Sequence, residues 1–420
     1  MNQTLQELIS KVKICRVCGS SDFTRWMGLG FQPMANAYLN NPDDAEVRLP
    51  LHLQYCQVCH LVSLAHVVNP DVLFKDYLYF SSTSGVFRDH FRVLAEKEVT
   101  LGRVTKQGGV VDIGSNDGIE LRCFRKLNIP VIGVDPSVNV AAEANKEGLE
   151  TLCEYFTEDT ADRILEKMKK VDLVTGTNVF AHVDDISTII RGVKKLIGNH
   201  GRFMIEVPHL LYMLQHNAFD LIYHEHLSYF FLGTLATLAE YHDLKIVEVQ
   251  TVPTHGVSLR VYFGHKDLPE VNTGAINRIL REEEAAFNSP LFHRFGNRVT
   301  DNKYKMQELL RKTLRGSLGK PIIMGYGAAA KTTVQFNWYE LTRDEIQAVY
   351  DDSPVKQGKY VPGTNIPILA PPESFKGLAE YFYLSAWNFK DSLKYRLKKG
   401  QFEGGFIIPF PMPYTQRRGS

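Results

Sequence analysis

The sequence predicts an α/β protein with a β-rich, metal-binding domain at its N-terminus and two larger α/β domains after it. Three observations lead to this prediction: two C-x-x-C pairs near the N-terminus, a strand and glycine loop at 110–118, and a second strand and loop at 321–331. Apolar strands that end in small residues are typical of parallel sheets, which bind ligands at the carboxyl ends of their strands. The predicted domains are residues 1–70, 71–265 and 266–420.

Composition narrows the classes of partner. The chain has 420 residues, of which 44% are hydrophobic, and a formal net charge of +1. A chain of this length and composition is large enough for two to four packed domains. The charge gives no footprint for nucleic acid or an anionic membrane, and no apolar segment resembles a signal peptide or a bilayer span. We therefore expect a cytoplasmic protein that binds a small molecule, with a monomer as the working expectation for its oligomeric state.

The two C-x-x-C pairs predict a structural zinc site. Each pair resembles a zinc knuckle, in which a turn aims two sulfurs at one tetrahedral ion, and four thiolates leave no position for substrate or water. In a reducing compartment such cysteines favour a metal over disulfides. The pairs lie farther apart than in a usual zinc ribbon, so we expect a β-rich insert that includes 32–36 to loop between them. The predicted ligands are Cys15, Cys18, Cys56 and Cys59.

The loop after the first buried strand predicts a cofactor site. Val110–Ile113 reads as the strand, and the glycines at 114 and 118 match neither a dinucleotide fingerprint nor a phosphate-binding loop. Carboxylate and amide oxygens repel a pyrophosphate but suit a cationic amino group, and S-adenosylmethionine carries such an amine. The predicted contacts from this loop are Asp112, Gly114, Asn116, Asp117 and Gly118.

The next two strands complete this predicted pocket. The strand before Asp135-Pro136 ends in an acid that can accept the hydroxyls of a ribose. Asn178, Val179 and His182 follow the third strand, and residues beyond the carboxyl ends of such strands face the ligand. His182 has a plainer interpretation as an ordinary residue at a helix N-terminus.

A loop rich in tyrosine and serine precedes the first of these strands. It contains Tyr77 and Tyr79, and the apolar spacing from Gly85 to Leu101 predicts a helix that leads from the loop to the strand. This placement brings the loop towards the cofactor pocket. Half-buried packing of the tyrosines is an equally good interpretation of the residues alone.

The most concentrated chemistry lies in Tyr223-His224-Glu225-His226. Phenol, imidazole and carboxylate in consecutive positions are typical of proton transfer, since each can take or give a proton. A second metal is disfavoured because helical zinc sites place their histidines four residues apart, and a solvated loop is the plain alternative. Nearby, the segment from His255 to Arg260 reads as a glycine-bearing entry to a strand that closes over a substrate.

The C-terminal third repeats the strand-and-loop design. Residues 274–318 read as a charged helical connector, with Arg281–Glu284 on a solvated face. The loop that runs from Tyr326 to Lys331 departs from the dinucleotide fingerprint at its third glycine, so NAD is a weak interpretation. The loop and Lys331 are equally suited to hold phosphates of a nucleotide-linked substrate at the N-terminus of the next helix. We find no residue-level repeat between this loop and the first.

Together, the paired knuckles and the motifs DIGSNDG, NVFAHV, YHEH and GYGAAAK resemble the nucleotide-sugar C-methyltransferases of deoxysugar biosynthesis, over nearly the entire chain. The resemblance implies a zinc domain, a central doubly wound S-adenosylmethionine domain and a C-terminal Rossmann-like substrate domain. It implies methyl transfer to C-3′ of a 4-keto-deoxysugar linked to thymidine or guanosine diphosphate. The catalytic residues that it implies are His226, Glu225, Tyr223, His182, and Tyr77 or Tyr79. We expect substrate contacts from Tyr326, Lys331, His255 and Arg260, although the family usually has two glycines at 255–256.

The implied reaction assigns a role to each group. A carbon next to a ketone becomes nucleophilic only after it loses a proton, so His226 is expected to act as the base and Glu225 to orient it or a sugar hydroxyl. The tyrosines and His182 are expected to donate hydrogen bonds to the enolate oxygen, and no catalytic metal is needed. The runner-up is an NAD-dependent nucleotide-sugar oxidoreductase or epimerase that uses the loop of Gly325. A third interpretation is a zinc-stabilised regulator that senses the methyl donor.

Overall fold

The structure is a computed structural model that describes residues 8–74, 80–83, 85–254, 256–315 and 321–417. The chain divides into two compact units, each built from three separate stretches of sequence. The first unit comprises Met1–Thr24, Gln54–Leu210 and Leu227–Ala285, and the second comprises Arg25–Leu53, Leu211–His226 and Ala286–Ser420. Within the described ranges, no helix combines the length and apolarity that a membrane crossing requires.

The described strands, in chain order, are β1 Ile9–Lys11, β2 Phe23–Pro33, β3 Arg48–Cys56, β4 Val62–Leu64, β5 His66–Val68, β6 Val110–Ile113, β7 Val131–Val134, β8 Thr151–Leu152, β9 Leu173–Thr177, β10 Arg202–Pro208, β11 Ser228–Tyr229, β12 Leu244–Val252, β13 Ser258–His265, β14 Ile323–Tyr326, β15 Val349–Tyr350, β16 Tyr360–Val361, β17 Ile366–Leu369, β18 Tyr381–Leu384, β19 Gly405–Ile408 and β20 Tyr414–Gln416.

The described α-helices are α1 Pro70–Phe74, α2 Gly85–Thr100, α3 Ile119–Lys126, α4 Val138–Lys146, α5 Glu158–Lys167, α6 Ile186–Ile197, α7 Leu210–Gln215, α8 Leu232–Tyr241, α9 Thr273–Phe287, α10 Pro290–His293, α11 Phe295–Arg315, α12 Ala330–Tyr339 and α13 Lys390–Lys399. Short 3₁₀ turns lie at Ser81–Thr83, Phe180–His182, Phe219–Leu221 and Trp387–Phe389.

The first unit is organised around a seven-stranded sheet of order β12-β13-β10-β9-β6-β7-β8. The five strands from β10 to β8 are parallel, and β13 is antiparallel to both of its neighbours. Strand β6 lies centrally, and Val110 and Val111 are completely buried because the sheet is covered on both faces. The carboxyl ends of β6, β7 and β9 therefore meet at one edge, where a ligand site is expected.

The second unit is organised around a sheet of order β16-β17-β15-β14-β18-β19-β20. Here β17, β15, β14, β18 and β19 are parallel, and the two outer strands are antiparallel. The five parallel strands of the two sheets have the same order along the chain, since β17-β15-β14-β18-β19 corresponds to β8-β7-β6-β9-β10. The predicted fold class is confirmed: a β-rich cysteine-bearing segment and two α/β sheets with ligand-type loops.

One prediction about the connector is wrong. Glu283 of α9 is buried rather than solvated, and its two carboxylate oxygens accept hydrogen bonds from the backbone N–H groups of Leu232 at 2.7 Å and Gly233 at 3.0 Å. It also lies 2.7 Å from Nε2 of His209. Helix α8 begins after Phe231, which offers no capping side chain, so a glutamate distant in sequence satisfies its first N–H groups. The charge pattern of α9 alone does not indicate that Glu283 accepts hydrogen bonds from the start of another helix.

Candidate functional site

The four predicted zinc ligands converge in the first unit. The sulfurs of Cys15, Cys18, Cys56 and Cys59 all lie within 4.8 Å of one another, and the Cys15–Cys59 and Cys18–Cys56 sulfur pairs are each 3.5 Å apart. A tetrahedral zinc ion with Zn–S bonds of about 2.3 Å needs this spacing. Among the described residues this is the sole group of three or more such ligand atoms, so the cysteines fit a closed structural site.

Backbone geometry explains why both pairs form knuckles. In the first, the N–H of Gly19 donates to the carbonyl of Cys15 at 2.9 Å, and Gly19 has a φ of +71°. In the second, the N–H of His60 donates to the carbonyl of Cys56 at 3.0 Å, with a φ of +58°. A residue in the left-handed region one place after each C-x-x-C closes the turn, which glycine does at lower cost than histidine.

The predicted cofactor loop is sharply turned and tightly packed. Gly114, Asn116 and Gly118 have φ values of +70°, +51° and +76°. A Cβ on Gly114 would lie 2.2 Å from the side chain of Val179, so the loop approaches the end of β9 more closely than any other residue would permit. The N–H of Gly114 donates to the carbonyl of Val134 at 2.7 Å, which ties the loop to strand β7.

Two of the predicted cofactor residues, Asp135 and Asp112, are buried acids at this loop. Asp135 accepts from the N–H of Asn116 at 2.8 Å and from the N–H of Ser137 at 2.9 Å, with Pro136 between them in sequence. Asp112 accepts from the hydroxyl of Thr175 at 2.9 Å. Burial raises the pKa of Asp112 to about 7, against the effect of that hydrogen bond and with the charge of Asp135 adding to the rise. Burial also raises the pKa of Asp135.

Four buried polar atoms at or beside this loop have no hydrogen-bonding partner among the described residues. They are Ser115 Oγ, Asp117 Oδ1, Glu120 Oε1 and Asn178 Oδ1. Such atoms are costly unless something pairs with them, and their concentration at the carboxyl ends of β6 and β9 is what a polar ligand site requires. The loop therefore fits a cofactor with several hydrogen-bonding groups, and Glu120 was not among the predicted residues.

A neighbouring segment lies over the loop. The N–H of Ser81 donates to Asn116 Oδ1 at 3.0 Å, and the N–H of Ser82 donates to Asp117 Oδ2 at 3.1 Å. The serines of the predicted Tyr/Ser loop thus contact the cofactor loop, as expected. Tyr77 and Tyr79 lie outside the described residues, and so does His255.

The residues after β9 occupy the same edge. Asn178, with a φ of +58°, donates its N–H to the carbonyl of Glu206 at 2.9 Å, and Val179 packs against Gly114. His182 is partly buried and its ring lies 5.7 Å from that of Phe74. Burial lowers the pKa of His182 to about 4, so its imidazole is neutral at physiological pH.

Arg260 lies in strand β13 of the first sheet. Its Nε donates to Glu206 Oε1 at 2.6 Å across the β10–β13 pair, and a second nitrogen lies 3.1 Å from His90 Nε2. The residue is 5% exposed, and its charge pairs with the buried carboxylate of Glu206.

The second unit repeats the arrangement of loop and acid. Gly327 donates its N–H to the carbonyl of Tyr350 at 2.7 Å, as Gly114 does to Val134. Asp351 accepts from the N–H groups of Ala328 at 2.6 Å and Ser353 at 2.8 Å, as Asp135 does from Asn116 and Ser137. The acid of the first strand has no counterpart, because Gly325 stands there and a Cβ would lie 2.8 Å from Val349.

Tyr326 and Lys331 both lie inside this unit. Tyr326 is 2% exposed and its hydroxyl is 3.3 Å from Asp352 Oδ1. Lys331 Nζ is buried with no hydrogen-bonding partner among the described residues. Burial lowers the pKa of Lys331, and the charge of Asp220 opposes that shift.

The proton-transfer cluster forms a tight turn in the second unit. The N–H of His226 donates to the carbonyl of Tyr223 at 3.0 Å, which brings the two rings to 4.0 Å between centroids. The hydroxyl of Tyr223 lies 2.7 Å from His226 Nε2, while His226 Nδ1 lies 2.8 Å from the carbonyl oxygen of Leu221. A carbonyl accepts only, so Nδ1 carries the hydrogen and Nε2 offers its lone pair.

The structure adds two residues that the sequence did not indicate. Asn36 Nδ2 donates to Glu225 Oε1 at 2.7 Å, which orients the buried carboxylate. Asp220 Oδ2 accepts from Gln335 Nε2 and from Trp387 Nε1, each at 2.8 Å, and so anchors the segment that leads into Tyr223. These contacts join residues that are far apart in sequence: Asn36 lies in the insert between the cysteine pairs, and Gln335 and Trp387 lie in the C-terminal third.

His224 is buried and contacts the backbone of Leu49 in β3, and its titration gives a pH prediction. Burial lowers its pKa to about 4, partly offset by the Leu49 carbonyl 3.3 Å from Nε2. The unfolded chain, with histidine near ~6.5, binds a proton that the folded chain does not, so this contribution to stability is present above pH 6.5 and is lost as pH falls through 4. Between pH 7 and 5 it removes about 2 kcal/mol. Urea unfolding at both pH values should show a smaller difference for His224→Gln; an identical difference would contradict the assignment.

Comparisons with known proteins agree with this site. Three family models match the chain: a zinc binding domain over residues 15–74, a methyltransferase domain over 88–249 and a C-methyltransferase C-terminal domain over 253–411. C-methyltransferase NovU of Streptomyces niveus is 36% identical over 414 residues, which are 97% of this chain and 98% of the relative.

Solved structures match part of the chain. Magnesium protoporphyrin IX methyltransferase ChlM from Synechocystis PCC 6803 covers 43% of this chain and 80% of its own, with 14% identity and a TM-score of 0.32. An S-adenosylmethionine-dependent methyltransferase from Mesorhizobium loti covers 40% of this chain and 97% of its own, with 18% identity and a TM-score of 0.31.

The matched ranges agree with the two sites. The four-cysteine cluster lies within the zinc binding range, and the loop of Asp112 lies within the methyltransferase range. The predicted zinc and S-adenosylmethionine are thus the groups that suit them. With 36% identity across nearly the full length of both proteins, the chain belongs to the S-adenosylmethionine-dependent C-methyltransferase family.

Proposed function

We propose that this C-methyltransferase acts on a nucleotide-linked 4-keto-deoxysugar and places the methyl group on C-3′. The observation that carries the proposal is the 2.7 Å contact between the Tyr223 hydroxyl and His226 Nε2. Carbon next to a ketone reacts with a methyl donor only after deprotonation, so such an enzyme needs a positioned base that can accept a proton. The turn of Tyr223–His226 supplies one.

Each residue of the cluster has a part in that proton transfer. His226 Nε2 takes the proton from C-3′, directly or through the Tyr223 hydroxyl, and the Leu221 carbonyl keeps the imidazole in the required tautomer. Glu225, oriented by Asn36, orients a sugar hydroxyl. S-adenosylmethionine supplies the electrophilic methyl group when bound.

The enolate oxygen needs hydrogen-bond donors. His182, neutral because burial lowers its pKa to about 4, is proposed as one donor, and Tyr77 or Tyr79 as another. Loss of one preorganised donor of this kind commonly costs about 3–4 kcal/mol of transition-state stabilisation.

We propose that the second unit binds the nucleotide part of the substrate, thymidine or guanosine diphosphate. Its loop and acid match those of the first unit, which supports a nucleoside site at Gly327 and Asp351. The three-domain division at 70 and 265, a cytoplasmic location, and substrate contacts from Tyr326, Lys331, His255 and Arg260 remain predictions.

The test is a product analysis. The full-length protein is incubated with methyl-labelled S-adenosylmethionine and a thymidine- or guanosine-diphosphate 4-keto-deoxysugar, and the product is examined by NMR. We expect the label on C-3′. Label on oxygen or on another carbon would contradict the proposal, and absence of turnover with every keto sugar would favour a regulator. Calorimetric binding of NAD without binding of S-adenosylhomocysteine would favour the oxidoreductase alternative.

A further inference from the structure

Three carboxyl groups are buried where the central strands of the first unit end. Asp112 lies near the end of β6, Glu206 lies near the end of β10, and Glu120 lies in the first turn of α3. None of the three residues is more than 2% exposed. The basic side chains nearby contact Glu206: Arg260 lies 2.6 Å from its carboxylate and His90 lies 2.8 Å from it. The site therefore carries more acidic than basic groups.

Asp112 and Glu120 have only hydroxyl partners. Thr175 donates to Asp112 at 2.9 Å, and Thr177 donates to Glu120 Oε2 at 3.3 Å. Glu120 Oε1 has no hydrogen-bonding partner within the ranges that the structure describes, although the residue is 0% exposed. An ionised carboxylate without a partner or water is unstable, so this group needs a proton or a nearby cation.

The charged groups around Glu120 also disfavour its ionised form. Burial raises its pKa well above the ordinary range, and the charges of Asp112 and Glu206 raise it further. The hydroxyl of Thr175 and the charge of Arg260 on β13 oppose the rise, while His90 on α2 contacts Glu206 instead. Cys123, one turn farther along α3, also lies close enough for the charge of Glu120 to raise the pKa of its thiol.

We propose that Glu120 makes the cofactor site prefer the positively charged methyl donor to its demethylated product. S-adenosylmethionine carries a sulfonium cation, whereas the sulfur of S-adenosylhomocysteine is uncharged. A cation in the site stabilises the Glu120 carboxylate, so a proton leaves Glu120 for solvent when the donor binds and stays when the product binds. The product is then held less tightly, which favours its release. This inference rests on the cofactor of the family and not on the proposed sugar substrate.

Isothermal titration calorimetry of the full-length protein tests the proposed role of Glu120. At pH 7, in two buffers with different enthalpies of ionisation, S-adenosylmethionine should release more protons than S-adenosylhomocysteine. Glu120→Gln should abolish that difference and shift the ratio of the two Kd values towards the product by at least about 5-fold, the effect of one charge about 4 Å away at the dielectric of water. Glu98→Gln is the matched control, since Glu98 is an equally buried glutamate bonded to Tyr262 at 2.8 Å, and it should change neither quantity.

Equal proton release by the two ligands in the unaltered protein would overturn the proposal. So would an unchanged Kd ratio in folded Glu120→Gln. If that variant does not fold, sinefungin decides with the unaltered protein, because it carries an amine in place of the sulfonium methyl group. Sinefungin should resemble S-adenosylmethionine in proton release, and resemblance to S-adenosylhomocysteine would contradict the assignment.

Discussion

His226→Asn should lower kcat for sugar methylation by about 10²- to 10⁴-fold, the usual contribution of a positioned general base. The affinity for S-adenosylhomocysteine should not change, because the residues that fit the cofactor are those of the Asp112 loop and do not include His226. Asparagine retains a polar group near the Leu221 carbonyl but offers no basic nitrogen to the Tyr223 hydroxyl. Initial rates with a 4-keto nucleotide sugar, together with calorimetry, measure both quantities.

Hydrogen exchange separates the base from methyl transfer. In deuterium oxide without a methyl donor, the wild-type protein should exchange the hydrogen on C-3′ of the sugar, and His226→Asn should not. His216→Asn is the matched control, since His216 is a partly exposed histidine of the same unit whose ring stacks on Tyr212 at 3.8 Å. It should leave kcat within about twofold of wild type. Exchange by His226→Asn at the wild-type rate would remove this residue as the base.

Cys56→Ser should abolish stoichiometric zinc and lower the Tm of the chain by at least about 10 °C. Structural zinc contributes several kcal/mol to folding, and each kcal/mol corresponds to about 2–4 °C in a domain of this size. Cys56 is completely buried and belongs to the hydrophobic core of the first unit, so the loss reaches packing as well as the metal. Zinc analysis and thermal unfolding measure the two effects.

Cys153→Ser controls for the loss of a thiol. Cys153 is exposed and lies outside the four-cysteine group. The zinc content and Tm of the Cys153→Ser protein should therefore match those of the wild type. A chelator added to the wild-type protein should reproduce the Tm of Cys56→Ser. A Cys56→Ser protein that keeps one zinc ion per chain would show that the four thiolates do not form the site.

Features with local causes could be predicted from the sequence. The cysteine pairs, the strand Val110–Ile113 and the loop after it depend on residues within a few positions, since a short apolar run, glycine positions and C-x-x-C spacing are local patterns. The parallel sheet then follows from the repeated strand and helix pattern. The structure brings the carboxyl ends of β6, β7 and β9 to one edge for that reason.

Contacts between distant residues could not be predicted. Asn36 meets Glu225 across 189 positions, and Gln335 meets Asp220 across 115. Nothing in the residues near Asn36 indicates that the insert between the zinc pairs belongs to the unit of the proposed base. The sequence does not mark Glu120, because a glutamate in the first turn of a helix is usually a dipole partner, and only its burial among other acids makes it unusual.

The interleaving of the two units along the chain has a consequence for synthesis on the ribosome. Arg25–Leu53 belongs to the second unit, and Trp26 stacks on Phe292 and Phe295 at 4.7 and 5.1 Å. Those partners emerge more than 260 residues after Trp26, so an early segment must wait through most of translation before it can pack. Truncated chains that end before residue 286 leave that segment unpaired, and they expose its apolar surface to aggregation or to chaperones.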